Sequence, residues 1–306
     1  MLGECVADLV AGTGPDWVLH PGGSPSNTAV GLARLDVPTL MLARLAAGPL
    51  GVRLRGHLVA NGVDLSLAVP AGEPASVAFV DVATDGGASY AFYVQDTADF
   101  CWRPGELAPL PEDVIALHTG SLASWLAPGW EQVARAARQA RGPGRITVSL
   151  DPNLRPALLP DRGTARVRVE QLVRSADLVK ASAEDVAWLA PGASIETVAR
   201  SWLGLGPALI VVTLGEHGSV AFTEGAAPIA VPGSRAAVVD TVGAGDSFSS
   251  ALLAGLYDRG VLGAGFRAAV PALDLRALLT TAGRAAALTC ARAGAQPPTS
   301  AELSAP

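Results

Sequence analysis

The sequence predicts an α/β fold built on a mostly parallel sheet, with a smaller all-β segment inserted into it. Three stretches of the 306-residue chain lead to this prediction. From Glu112 onward, apolar strands alternate with helices, the pattern of βαβ units. Between Gly72 and Trp102, strands follow one another without a helix, so they need another surface to bury one face. Residues 240–256 join a glycine-rich turn to a long helical run, an arrangement that can hold an anion.

Composition limits the size of the protein and its partners. The chain is 50% apolar, and 306 residues suffice for one large domain or for one domain with a smaller appendage. The net charge of −6, without a basic stripe, argues against nucleic acid as a partner. We find no signal segment and no apolar run long enough to span a bilayer, so a membrane partner is not expected. Three distant cysteines without metal-ligand spacing are typical of a reduced, cytoplasmic protein.

The first predicted strand is LGECVADLV, which alternates small or apolar residues with acidic ones and ends at the turn AGTGPD. It is expected to be short, because little apolar sequence precedes it. Asp8 lies near its carboxyl end, where open α/β sheets place ligand-binding groups. The same position suits an ordinary turn residue, so the pattern supports both interpretations of Asp8.

A turn and a helix follow in HPGGSPSNTAVGLARLDV. Gly22 and Gly23 form the turn, and residues 28–35 have helical periodicity. Ser24 or Ser26 is suited to cap this helix, because a serine hydroxyl can accept from the first free N–H groups. By itself this pattern indicates an ordinary connection between a strand and a helix.

Three short strands are predicted away from the helical repeats. They are WVLH at residues 17–20, ASVAFVDV and ASYAFYV, and ATDGG joins the last two as a hairpin. Phe92 and Tyr93 are placed to contact a ligand from these strands. Aromatic strand residues serve packing more often, however.

The second half of the chain has βαβ character. Trp130 to Arg141 is an amphipathic helix, and RITVSLDPN is a buried strand that ends in a polar cluster beginning at Asp151. Arg155 belongs to this cluster, and its guanidinium can hold a phosphate or a carboxylate through two parallel hydrogen bonds.

Two more strands and two more helices follow. ADLVKASAEDVAWL predicts a strand and then a helix that Ser182 caps. PALIVVTLGEHGSVAF predicts a buried strand and a hairpin turn bounded by Gly215 and Gly218. Leu275 to Ala293 predicts a long Ala-rich helix.

The stretch DTVGAGDSFSSALLAGL carries the strongest chemical signal. Gly243 and Gly245 allow close approach of the main chain to a ligand, so N–H groups from Val242 to Asp246 can converge on one anionic oxygen. A carboxylate at Asp246 could accept the proton of a hydroxyl that attacks a phosphoryl group. Asp is also a favoured N-cap, and helix capping alone explains it equally well.

This stretch resembles, residue for residue, the C-terminal signature of the PfkB family of sugar and nucleoside kinases. The order Gly22, Gly23, Asn27 and then small Ala29 resembles the N-terminal signature of the same family. The resemblance covers nearly the whole chain. It implies one kinase domain over residues 1–306, with a ribokinase-like three-layer, doubly wound, mostly parallel sheet. It also implies a small β-sheet lid that is discontinuous in sequence, at approximately residues 11–20 and 72–102.

The resemblance also implies roles for the residues described above. Asp246 would be the catalytic base, and the anion hole for the transferred phosphoryl group would be Gly243, Ala244 and Gly245. The sugar would be bound by Asp8, Gly22, Gly23, Asn27 and Arg155. The nucleotide would lie against Ser182, Thr213, Gly215 and Gly218. ATP and Mg²⁺ would be required. A monovalent cation such as K⁺ is a possible further cofactor, and a homodimer formed through the lid is a possible assembly.

One motif departs from the family pattern. Where the family has an Asn-x-x-Glu motif that organises magnesium-bound water and phosphate, this chain has Ser182 and Asp185. Asp185 would then hold the metal with a shorter reach, or share the role with Glu184. Ordinary helix capping by the same two residues is a serious alternative.

The function that this resemblance implies is that of an ATP-dependent sugar kinase. The string DPNLR resembles the fructokinase and 2-keto-3-deoxygluconate kinase branches more than ribokinase, and fructose is the expected acceptor. A kinase for 2-keto-3-deoxygluconate or another sugar acid, a ribokinase and a nucleoside kinase are the alternatives. A non-catalytic ligand-binding relative is disfavoured. Loss of Asp246 would be the simplest way to stop catalysis, and this chain retains Asp246.

Overall fold

The computed structural model describes residues 1–11, 16–82, 88–142, 144–159 and 161–305, with only the backbone described for 81, 82 and 88–90. The strands of these ranges are β1 (Val6–Ala11), β2 (Trp17–Gly22), β3 (Arg44–Ala46), β4 (Val69–Ala71), β5 (Val77–Val82), β6 (Ala88–Tyr93), β7 (Ala116–Gly120), β8 (Thr147–Asp151), β9 (Leu178–Ser182), β10 (Leu209–Thr213), β11 (Ser219–Phe222) and β12 (Ile229–Val231).

The helices of the same ranges follow the strands in alternation over the second half of the chain. They are α1 (Ser24–Arg34), α2 (Pro49–Ala60), α3 (Trp130–Arg141), α4 (Arg162–Val173), α5 (Ala183–Leu189), α6 (Ile195–Leu203), α7 (Ala244–Asp258), α8 (Phe266–Ala269), α9 (Leu275–Cys290) and α10 (Ser300–Ser304). In the part of the chain that the structure describes, none of these helices has the length and apolar character needed to cross a membrane.

The larger sheet has six strands in the order β12–β11–β10–β9–β8–β7. Strands β7 to β10 are parallel to one another, whereas β11 is antiparallel to β10 and β12 is antiparallel to β11. Beyond β7, a single-residue parallel bridge joins Leu2 to Thr119, and a second joins Leu2 to Leu42. The predicted mostly parallel sheet is therefore confirmed.

Both faces of this sheet are covered, because alternate strand residues point to opposite sides. Leu209 and Val211 of β10 pack with α1, α7 and α9 in one apolar core. Ile210 and Val212 of the same strand pack with α3, α4, α5 and α6 in the other. These two cores make the three-layer α/β architecture that the sequence predicts.

A second sheet has four strands in the order β2–β1–β5–β6. β1 is parallel to β5, and the outer pairs are antiparallel. The strands predicted at residues 17–20, 75–82 and 88–94 are all present, whereas the predicted hairpin turn ATDGG lies outside the described residues. The first strand differs from its prediction, because the chain leaves the larger sheet after Leu2 and enters the smaller one at Val6.

Helix boundaries follow the predicted periodicity with two corrections. α3 has the predicted bounds, and α9 ends at Cys290 instead of Ala293. α1 begins at Ser24, and the prediction that Ser24 or Ser26 caps it is wrong. Its N-cap is Gly23, which has no side chain to cap with, and the Ser24 hydroxyl bonds elsewhere.

Candidate active site

The amino end of α7 is open to a ligand. Its N-cap is Gly243, which has a φ of 74°, in the left-handed region that favours glycine. A Cβ added at Gly243 would lie 2.5 Å from the Cβ of Ala295, so close packing also requires glycine there. No side chain of the described ranges caps this helix. The Ala244 amide makes one long hydrogen bond to the Thr241 carbonyl oxygen, at 3.3 Å, and the neighbouring N–H groups and the positive dipole end suit an anion.

Asp246 lies in the first turn of α7 and is held by helix α1. The Ser24 hydroxyl donates to its Oδ1 at 2.6 Å, and the Asn27 amide donates to its Oδ2 at 2.8 Å. Burial raises the pKa of Asp246 above the usual value, and these two hydrogen bonds oppose that shift. The capping interpretation of Asp246 is therefore wrong, since its carboxylate accepts from another helix and not from its own backbone.

Asp8 comes to the same place from the smaller sheet. Burial raises its pKa to about 7, with the nearby Arg155 guanidinium lowering it and the Asp246 carboxylate raising it further. Charge effects of this size act over short distances, so Asp8 lies near both Asp246 and Arg155. Arg155 is exposed, and its guanidinium also donates to Oδ1 of Asn153 at 2.6 Å.

The two glycines of the first turn make room for this arrangement. A Cβ at Gly22 would lie 2.1 Å from Oδ2 of Asp8, so glycine admits the carboxylate. Gly23 has a φ of 96°, and its Cβ would lie 2.7 Å from the carbonyl oxygen of Glu4. In this structure both glycines therefore have a packing role beside the sugar contact that the resemblance implies.

The register of the smaller sheet separates the two aromatic candidates. Asp8 pairs with Ala78, and Ala78 pairs with Phe92, so these three residues share one face of the sheet. Tyr93 is on the opposite face and contacts Phe79 with ring centroids 5.5 Å apart. Phe92 thus shares a face with Asp8, and Tyr93 does not.

A buried ion pair lies beneath the first turn of α7. The Lys180 ammonium on β9 is 2.9 Å from Oδ2 of Asp151 at the end of β8. Ser249 of α7 also donates to that oxygen at 3.4 Å, whereas Oδ1 of Asp151 has no partner among the described residues. Burial opposes the charge of Lys180, but the charge and hydrogen bond of Asp151, together with the charges of Asp246 and Asp185, raise the pKa of Lys180 overall.

The Ser182–Asp185 pair forms the capping box that the alternative interpretation predicts. The Asp185 amide donates to the Ser182 hydroxyl at 3.0 Å, and the Ser182 amide donates to Oδ2 of Asp185 at 3.1 Å. Oδ1 of Asp185 accepts from the Leu154 amide at 2.8 Å. Burial, and next the charge of Asp151, raise the pKa of Asp185. Asp185 therefore has a structural role, which does not consume all the lone pairs of its carboxylate.

The candidate nucleotide residues meet at one edge of the larger sheet. Thr213 of β10 pairs with Ser182 of β9 at their carboxyl ends. The turn that follows contains Gly215 and Gly218, with φ values of 59° and 98°. A Cβ at Gly218 would lie 2.0 Å from the carbonyl oxygen of Val231, so only glycine fits there. The structure thus brings Ser182 and Thr213 together at the sheet edge.

Two residues of this site were not assigned from the sequence. The sequence pattern predicts a helix cap at Ser24, because a serine before a helix usually is one. Lys180 received no role, although a charged residue within the apolar string ADLVKAS was a signal for it.

Known families and proteins resemble this chain over most of its length. The protein family described as pfkB family carbohydrate kinase matches residues 2–302 of this chain. The chain is 35% identical over 237 residues to the fructokinase of Rhizobium leguminosarum bv. trifolii, covering 78% of this chain and 72% of that protein. It is 32% identical over 263 residues to the fructokinase of Klebsiella pneumoniae, covering 85% of each.

Solved structures of fructokinases share the fold of this chain. The fructokinase of Xylella fastidiosa with bound ATP is 26% identical and superposes with a TM-score of 0.90 over 99% of this chain and 95% of that one. The fructokinase of Vibrio cholerae O395 with fructose, ADP and calcium ion bound is also 26% identical, with a TM-score of 0.82 over 99% and 94% of the two chains. Together with the match over residues 2–302, these relatives show that the chain belongs to the pfkB family of carbohydrate kinases.

Proposed function

We propose that this protein is an ATP-dependent fructokinase that transfers the γ-phosphoryl group of ATP to a hydroxyl of fructose. The observation that carries the proposal is the carboxylate of Asp246, held by Ser24 and Asn27 at the uncapped end of α7. A base and an anion site are thereby adjacent, as transfer of a phosphoryl group to an alcohol requires. The fructokinases reported above support fructose as the acceptor.

In the proposed reaction, the sugar oxygen attacks the γ-phosphorus while its proton passes to the Asp246 carboxylate. The bond between the γ-phosphorus and the oxygen that bridges it to the β-phosphate breaks, and ADP leaves with that electron pair. The N–H groups of Gly243, Ala244 and Gly245 stabilise the charge on the transferred group, aided by the helix dipole. Asp246 must be ionised to act, and the hydrogen bonds from Ser24 and Asn27 favour that state.

Asp8 and Arg155 supply the proposed contacts to the sugar. Asp8 is close enough to Asp246 for their charges to interact, so a sugar that Asp8 binds through its hydroxyls would lie beside the base. Gly22 leaves the space that the Asp8 carboxylate occupies. One N–H of the Asn27 side-chain amide donates to Asp246, so a sugar contact from Asn27 would use its second N–H or its Oδ1.

The nucleotide is proposed to lie along the carboxyl edge of β9 and β10, against Ser182, Thr213, Gly215 and Gly218. Mg²⁺ fits the donors available there. Asp185 supplies hard carboxylate oxygens, and so does Asp151, whose Oδ1 has no partner among the described residues and whose charge acts on Asp185. The described residues contain no cluster of three or more metal-binding side chains, but Mg²⁺ commonly uses one or two carboxylates and the phosphates of the nucleotide. When bound, it would neutralise phosphate charge.

The four-stranded sheet is the proposed lid, and its outer face is the proposed homodimer contact. Trp17 and Tyr93 are 45% and 63% exposed and flank Phe79 on the face opposite Asp8. Exposed aromatic clusters of this kind are typical of protein interfaces. Sedimentation velocity should give twice the monomer mass, and a monomer at assay concentration would contradict this proposal.

The proposed enzyme also uses a monovalent cation and lies in the cytoplasm. A K⁺ requirement is supported by a double mutant of the fructokinase of Vibrio cholerae O395, 27% identical over 99% of this chain, which has fructose, ADP and potassium ion bound. We expect a cytoplasmic enzyme, since Cys5, Cys101 and Cys290 are free thiols.

The decisive experiment is a phosphorylation assay across a panel of acceptors. Fructose, 2-keto-3-deoxygluconate, ribose and adenosine are compared by kcat/KM at saturating ATP and Mg²⁺. We expect the highest value with fructose. A higher value with the sugar acid would make the enzyme a sugar-acid kinase, and no transfer to any acceptor would favour a non-catalytic relative.

An Arg155→Lys variant distinguishes two roles of that residue on the same panel. Lysine keeps the charge near Asp8 but loses the planar fork that pairs with a carboxylate. We expect roughly equal, small losses for all acceptors, of about threefold or less, if Arg155 acts through its charge. A loss confined to 2-keto-3-deoxygluconate would instead identify Arg155 as a carboxylate clamp.

A further inference from the structure

Lys180 is the only lysine of the chain. Of the 22 basic residues, 21 are arginines. The exception is also the basic side chain at the centre of the larger sheet, where it is 5% exposed. A compact ammonium differs from a planar guanidinium in size and in the number of its donors, so a single retained lysine indicates a site where those properties matter.

The position of the ammonium explains why residue 245 is glycine. The φ of Gly245 is not in the left-handed region, so its backbone does not require glycine, in contrast to Gly243. A Cβ at residue 245 would, however, lie 2.9 Å from Nζ of Lys180. Glycine therefore leaves the space in which the ammonium approaches the backbone of the anion hole.

This placement is electrostatically costly. Burial disfavours an ammonium, and the positive end of the α7 dipole repels it. Asp151 offsets the cost with an ion pair of 2.9 Å, both side chains being nearly inaccessible. Of the three donors of the ammonium, the described residues engage one, which is directed at Asp151. An ordinary counter-ion for Asp151 would not need to stand behind Gly245.

We propose that Lys180 is a positioning residue for phosphoryl transfer, whose ammonium reinforces the positive potential of the anion hole through the gap at Gly245. The inference rests on the proposed kinase function. Charge on the transferred group is greatest in the transition state, so the effect should be larger there than in the complex with ATP. The loss should consequently appear in kcat and leave KM for ATP and for sugar nearly unchanged.

A double-mutant cycle with Asp151 separates this role from that of a counter-ion. Asp151→Asn removes the carboxylate that Lys180 would serve, and it should lower the Tm because a buried ammonium is left unpaired. Adding Lys180→Met to that variant should restore the Tm, yet lower kcat by about 10–100-fold further. If Lys180 only balances Asp151, the second change will leave kcat unchanged or raise it, and the proposal is overturned.

Two measurements complete the test. In the same pair of variants, affinity for ADP with aluminium fluoride and fructose should fall in parallel with kcat, while affinity for ADP alone stays constant. Equal losses of affinity for ADP alone and for ADP with aluminium fluoride and fructose would overturn the proposal. Ser249→Ala is the matched control, because it removes a contact to the same Asp151 oxygen without touching Lys180, and kcat should stay within about twofold.

These outcomes are distinguishable from failure of the proposed function. If the parent enzyme does not phosphorylate fructose, the cycle is run with whichever acceptor of the panel gives turnover. Failure of the acceptor then concerns the sugar site alone, whereas failure of the cycle concerns Lys180 alone.

Discussion

At the scale of single residues, Asp246 is the proposed base, and its neighbours allow a substitution that keeps its hydrogen bonds. In Asp246→Asn, the amide oxygen can still accept from Asn27 and the amide nitrogen can donate to Ser24, so the contacts with α1 persist. We expect kcat to fall by about 10²–10⁴-fold, the usual effect of losing a positioned general base. Turnover is measured at saturating substrates, and fructose binding by calorimetry.

Sugar affinity and Tm should remain near those of the parent in this variant. Asn27→Ala is the matched comparison, because it removes one of the two donors that keep Asp246 ionised and leaves the carboxylate in place. Its loss of kcat should be partial. Turnover of Asp246→Asn close to that of the parent would contradict the role of general base.

At the scale of elements, the start of α5 combines a cap with a candidate metal residue. Asp185 joins the Ser182 capping box to the turn after β8 through Leu154. Asp185→Ala should therefore lower stability by about 1–2 kcal/mol, as lost caps do. If Asp185 also orders water around Mg²⁺, the concentration of Mg²⁺ for half-maximal rate should rise as well, with KM for sugar unchanged.

Asp185→Glu is the informative companion, since the longer carboxylate matches the reach of the family motif. It should leave the Mg²⁺ requirement unchanged or lower. A destabilised Asp185→Ala enzyme with the Mg²⁺ dependence of the parent would show that the residue only caps the helix. Glu184 would then be the next carboxylate to substitute.

At the scale of the whole molecule, buried carboxyls lie where the chain crosses between the two sheets. Oδ1 of Asp99 accepts from the Cys5 amide at 2.7 Å, and Oδ2 accepts from the Ser76 hydroxyl at 2.6 Å. Glu4 accepts from the Ala123 amide at 3.0 Å through Oε2, and its Oε1 has no partner in the described ranges. Burial raises the pKa of Glu4 to about 7 and that of Asp99 to about 6.

A raised pKa means that the folded state binds the proton more tightly, so stability is lost as pH rises. For Glu4 the loss begins near its usual pKa of 4.5 and is complete above about 7. Glu4→Gln removes this dependence. Its free energy of unfolding should gain roughly 2–3 kcal/mol relative to the parent between pH 4.5 and pH 8, at about 1.36 kcal/mol per pKa unit.

The comparison must be a difference between variants, because other groups titrate in the same range. Burial lowers the pKa of the Met1 amino group to about 5 and that of His118 to about 3, so both gain stability as pH rises. Glu131→Gln, an exposed change on α3, is the control for replacing a glutamate by glutamine outside the buried cluster. A pH-independent difference for Glu4→Gln would contradict the prediction.

Local patterns made much of the fold predictable from the sequence. The two-sided burial of strands such as β10 appears as continuous apolar runs, and α3 appears as an amphipathic segment with its observed bounds. The Ser182 cap was predictable for the same reason, since capping depends on residues only a few positions apart. The glycine turn before α7 indicated an anion site, because backbone freedom and helix polarity are both local properties.

Only the tertiary structure decided contacts between distant parts of the chain. It made Ser24 a partner of Asp246 instead of a cap, because packing of α1 against α7 offers the hydroxyl a buried carboxylate. It placed β1 in the smaller sheet. No local sequence pattern marks the point after Leu2 where the chain crosses from one sheet to the other. It also set Lys180 behind Gly245, where the reason for a glycine lies in an ammonium from another strand. Local propensity records what a segment can form, whereas these roles depend on which segments become neighbours.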